Sequence, residues 1–101
     1  MAAALEARGW TVLARNWRGG GGELDLVVVK HPRLRFVEVK TRVENDPVGA
    51  ESIGPTKRSH LGRAANAWLR AHEPDVEEMA FLVAMVEGQR ITWFDDAFDV
   101  E

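Results

Sequence analysis

Apolar positions along the chain follow two periods. Leu61, Ala64, Ala65, Trp68 and Leu69 fall at i, i+3, i+4, i+7 and i+8. That stripe predicts an amphipathic helix over Thr56–His72. Elsewhere the apolar residues come in short, β-branched or alternating runs. These predict strands at Trp10–Asn16, Glu23–Lys30, Leu34–Thr41 and Met79–Val86, and a shorter one at Arg90–Phe94 after the Gly-centred turn Glu87–Gln89. His31 and Pro32 sit between the second and third runs, as in a hairpin. Ala2–Arg8, rich in alanine and stopped by Gly9, reads as the last two turns of a helix whose beginning is cut short. The glycines from Gly19 to Gly22 break the first strand. Val43–Pro55, with two prolines and two glycines, predicts a loop. Interleaved strands and helices make this an α/β chain of the mixed α+β kind.

Composition narrows the class. A chain of 101 residues, 46% apolar and 29% charged, is expected to fold as one domain over residues 1–101 around one core. The absence of cysteine excludes disulfides, thiolate zinc sites and cysteine nucleophiles, so any metal must be held by oxygen or imidazole. No apolar run has the length of a membrane span or signal peptide, and the reading expects a cytoplasmic protein with no membrane partner. Charge is uneven. Residues 1–72 carry twelve Lys and Arg against seven Asp and Glu, and residues 73–101 carry one against nine. A basic body suits a polyanionic partner, while the acidic end suits docking on a basic one; ordinary solvated surface is the alternative for both.

Candidate chemistry lies in the central hairpin. Side chains alternate along a strand, so Glu23 and Asp25 share one face of the first strand and Glu38 and Lys40 share one face of the second. Antiparallel registers whose opposed residue numbers total 63 or 65 keep all four groups on the same side of the sheet. Carboxylates facing one another repel, which implies a cation between them. Lys40 is one such cation and a divalent ion is another. Oxygen-only ligation by Asp25 and Glu38, with the Val39 carbonyl as a further oxygen, points to Mg2+ or Mn2+. Taken alone, Glu-x-Lys on a strand also suits a solvated sheet face.

The runs GGELDLVVVK and LRFVEVKTR, flanked by LEARGWTVLARNWR and KRSHLGRAANAWL, resemble the YraN-like family of bacterial proteins, within the PD-(D/E)xK, restriction-endonuclease-like superfamily. The resemblance covers most of the chain. It implies a restriction-endonuclease-like fold, a mixed central β-sheet flanked by helices. It also implies a metal-dependent nuclease acting on DNA or RNA, with DNA ahead of RNA, in which Asp25, Glu38 and Lys40 are catalytic. Asp25 and Glu38 would be the metal ligands, with Glu23 as an additional ligand or an outer supporting group. Two features of relatives are missing here: a helical Glu upstream, for which only Glu6 is present and out of position, and an Arg-Phe-Asp run where this chain has Ala80, Phe81 and Leu82. A catalytically weakened nucleic-acid-binding module is therefore the first rival reading, and an interaction protein using its acidic end is the second.

Arg15, Arg18, Arg42, Lys57 and Arg58 are the candidate nucleic-acid contacts, with a solvated first helical turn the alternative for Lys57 and Arg58. Trp17 either stacks on an unpaired base or is partly buried, the latter being favoured. Trp10, Trp68, Phe36 and Phe81 read as core. His31, His60 and His72 lack metal-ligand spacing. A homodimer is the assembly expected of a nuclease that makes paired cuts.

Overall fold

Alternation and helical periodicity place the elements close to where the sequence puts them. The computed structural model describes residues 1–41 and 54–100. In chain order the elements are α1 (Ala2–Ala7), β1 (Thr11–Gly19), β2 (Gly22–Lys30), β3 (Arg33–Thr41), α2 (Pro55–His72), β4 (Glu78–Glu87) and β5 (Arg90–Asp99). The five strands form one sheet in the order β1-β2-β3-β4-β5. β3 and β4 are parallel and the other neighbouring pairs antiparallel. A parallel pair needs a crossover, and α2 supplies it. The result is the mixed sheet with flanking helices of a restriction-endonuclease-like fold.

Both faces of the sheet are covered, so the apolar interior is split into two clusters rather than the single core expected from chain length. On one face Leu24, Val27, Leu34, Phe36 and Phe81 pack against Leu61, Ala64, Ala65 and Trp68 of α2. On the other, Leu26, Val28, Val37, Leu82 and Ala84 pack against Ala2 and Leu5 of α1. Strand alternation produces this division: Val27 and Phe36 face α2, while their neighbours Leu26 and Val37 face α1. The predicted helical stripe lies on the sheet as expected, with Leu69 packed at its margin.

The glycine run has a structural use. Gly20 and Gly21 form the β1–β2 turn with φ of 62° and 86°, a conformation that favours glycine. Side chains at Gly20 or Gly22 would collide with the Arg63 and His60 carbonyls of α2, so the hairpin and the helix touch backbone to backbone. Two expectations need correction. β5 is as long as β4, although the sequence suggested a strand ending at Phe94. A register irregularity between Phe81 and Val83, with Asp96 at φ 53°, lets the acidic run continue as strand. The acidic end is therefore largely sheet, and Trp10, expected in the core, is half-buried at its edge. No described helix is long and apolar enough to cross a membrane.

Candidate active site

β2 and β3 pair from Lys30↔Arg33 to Leu26↔Val37, which is the register totalling 63. Continued one step, that ladder would set Asp25 directly opposite Glu38. The strands part there instead. Asp25 Oδ2 accepts the Val39 N–H at 2.8 Å, so a carboxylate occupies the fork and satisfies a backbone donor. That bond fixes one carboxylate oxygen.

Glu38 is 5% exposed, a rare environment for a carboxylate. Lys57, in the first turn of α2, reaches it with Nζ 3.2 Å from Oε1. Burial pushes the Glu38 carboxyl above its ordinary pKa and the Asp25 charge pushes it further, while Lys57 and Lys40 pull the other way. The structure thus gathers Asp25, Lys40 and Lys57 around Glu38. Val37 and Val39 belong to the opposite, α1-covered side, as alternation expects.

Other candidates fall elsewhere. Arg15, with Asn16, Asp25 and Val39, lines a cavity of about 400 Å³ beside Met1 and Ala2 of α1. Glu23 sits at the hairpin end, paired with the exposed Arg18 at 3.7 Å. Among the described residues no three His, Asp or Glu side chains are grouped to hold a metal, so Glu23 does not join Asp25 and Glu38. Arg58 lies over the Phe98 ring at 4.9 Å. Arg42 lies outside the described residues. Trp17 is partly buried against the α2-side core, and its ring lies over Gly19. His31, His60 and His72 are exposed.

Sequence reasoning missed two contacts. Lys57 stood out only as a phosphate contact, yet it pairs with Glu38. Arg35, 2% exposed, donates to Asp95 Oδ1 at 2.6 Å, Glu78 Oε1 at 2.9 Å and the Leu34 carbonyl at 3.0 Å. Alternation held the signal for the second: Arg35 shares a face with Val37 and Val39, and an arginine among apolar neighbours needs carboxylates from somewhere.

The carboxylates present fit a magnesium-type ion in a sparse way. Such an ion is commonly bound through one or two carboxylates and retains several waters, and Asp25 and Glu38 supply that number. Cysteine thiolates, the usual soft-metal ligands, are absent from the chain.

A family model described as uncharacterised protein family UPF0102 matches residues 1–100. Among curated proteins, a UPF0102 protein of Synechococcus sp. (strain JA-3-3Ab) is 48% identical over 87 residues, covering 82% of this chain and 66% of its own length. Relatives from Ralstonia nicotianae and Ralstonia pickettii are 41% and 40% identical, each over 96% of this chain, and the match covers 78% and 82% of their own lengths.

Proposed function

The chain belongs to uncharacterised protein family UPF0102, and for this member we propose a Mg2+- or Mn2+-dependent nuclease that hydrolyses phosphodiester bonds, with DNA as the preferred substrate over RNA. One observation carries the reading: Glu38 is buried beside a second carboxylate at a fork in the sheet, at a cost to stability, where an apolar side chain would pack better. Sites retained against stability are candidates for function.

Asp25 and Glu38 would hold the ion, which when bound supplies Lewis-acid polarisation of the phosphoryl group and stabilises the leaving oxygen. The Val39 N–H fixes the Asp25 carboxylate so that its other oxygen faces a constant direction. Lys40, as an ammonium, orients the attacking water and offsets the negative charge that grows on the phosphorane. Lys57 shields the Glu38 charge in the free protein and exchanges that contact for a phosphate oxygen when substrate arrives. Hydrolysis adds water across the P–O bond: the water oxygen bonds to phosphorus, and the displaced oxygen leaves with a proton.

The test is cleavage of single-stranded, duplex and branched DNA, and of RNA, with magnesium, manganese or chelator. Metal-dependent cutting that Asp25→Asn and Lys40→Ala each reduce by roughly a hundredfold or more is expected. A second reading, a catalytically weakened binding module, draws on the two-carboxylate set. Salt-sensitive binding without cutting under either metal would select it.

A further inference from the structure

On the α1-covered face, at the end of β3 away from the fork, lies a cavity of about 400 Å³ lined by Arg8, Trp10, Lys30, Arg33, Trp93 and Asp95. Its cations are held in place by aromatic rings. The Arg8 guanidinium lies 4.9 Å from the Trp93 ring centroid and Lys30 Nζ 4.8 Å from that of Trp10. The carboxylates here are already engaged: Asp95 binds the buried Arg35, and Glu78 is shared by Arg35 and the exposed Arg33. Among the described residues, Arg8 and Lys30 have no carboxylate within ion-pair distance. Three cations therefore line this space against one carboxylate, Asp95, which Arg35 already holds, and Arg8 and Lys30 have no counter-charge among the described residues.

We propose that this cavity binds a nucleotide, with its phosphate held by Arg8, Lys30 and Arg33 and its base packed against the indoles of Trp10 and Trp93. The Arg8 guanidinium and Lys30 ammonium, without a carboxylate partner, suit phosphate oxygens, and the exposed Arg33 can exchange its 3.5 Å contact with Glu78 for one. Flat indoles beside them suit a base, and stacking of this kind tolerates any base. A cavity of this volume is within the range of small-ligand sites. The residues are separate from the proposed cleavage site: Arg33 and Glu38 are about 17 Å apart along β3 at strand rise, and Glu38 faces α2. The inference goes beyond the nuclease reading and does not need it. The ligand is either a free nucleotide or one unit of a single strand.

The experiment is titration of the whole protein in chelator, followed by calorimetry and tryptophan fluorescence, with adenosine, inorganic phosphate, adenosine monophosphate and a short oligoadenylate. The monophosphate is expected to bind about tenfold or more tighter than adenosine or phosphate, and to quench indole emission. Arg8→Ala combined with Lys30→Ala changes only exposed side chains and is expected to remove about tenfold of that affinity with an unchanged melting profile. Glu38→Gln is expected to leave it intact, so failure of the cleavage site and failure of this site read differently. An oligomer binding more tightly than the monophosphate identifies a strand as the ligand, and equal affinity identifies a free nucleotide. The proposal is overturned by a monophosphate that binds no better than phosphate alone, or by a double variant that binds like the wild type.

Discussion

Glu38 on β3 and Asp95 on β5 have opposite demands on pH. Burial and Asp25 raise the Glu38 pKa, so the folded protein holds this proton more tightly than the unfolded chain does. Stability from Glu38 is then present at low pH and declines as pH rises from the ordinary carboxylate value through the raised one. Glu38→Gln is accordingly expected to raise the melting temperature at neutral pH, with the gain vanishing in acid; thermal scans across that range check it. Asp95 behaves in the reverse sense. Burial opposes its ionisation, but the hydrogen bond and charge of Arg35 outweigh this and lower its pKa. Its contribution is present above the ordinary carboxylate value and is lost as pH falls through the lowered one. Glu78→Gln together with Asp95→Asn leaves the Arg35 guanidinium buried without a counter-charge, with only neutral amide and carbonyl oxygens as acceptors. Denaturant unfolding is expected to show a loss of about 3 kcal/mol. At this scale alternation put Val37 and Val39 on the face opposite Glu38, but it fails at Asp25, where Leu24 and Leu26 lie in clusters on opposite faces of the sheet. It could not say which carboxylates hold Arg35, since they are 43 and 60 residues away.

Among elements, the contact between the β1–β2 hairpin and α2 holds one strand of the proposed site against the helix that delivers Lys57. Gly22→Ala would press a methyl group into the His60 carbonyl, a backbone atom that cannot rotate aside. A loss of about 1–3 kcal/mol is expected. Leu61→Ala, at a position 2% exposed under the sheet, is expected to cost about 2–5 kcal/mol, read in the same way by denaturant unfolding. The elements were legible where one period ran without interruption: α2, β2, β3 and β4 lie within a residue or two of their predicted bounds. β5 was not, because its second half pairs with β4 only after a bulge, and a bulge breaks the alternation by which strands are recognised. The register of β2 against β3 was confined to two choices by keeping Glu23, Asp25, Glu38 and Lys40 on one side of the sheet. The fork at Asp25 was not visible, since it depends on a side chain replacing a ladder bond.

Across the whole molecule, charge is distributed by the fold rather than by position in the chain. Residues 73–101 look like an acidic tail in sequence, yet Glu78 and Asp95 lie in β4 and β5 and neutralise a buried arginine of β3. The exposed Arg15 on β1 and Lys57 on α2 lie around the fork, where a phosphodiester backbone would pass. If they contact phosphates, Arg15→Ala with Lys57→Ala should flatten the slope of log affinity against log salt by about 1.5–2. Equilibrium binding at several salt concentrations gives that slope. The most direct measurement for the account as a whole is the rate at which wild type and Glu38→Gln, purified in parallel, cut one labelled DNA with manganese. The account predicts metal-dependent cutting by the wild type and a loss of roughly a hundredfold or more in a variant that melts at a higher temperature. Equal cutting by the two proteins would contradict it, because activity would then come from somewhere other than the buried carboxylate.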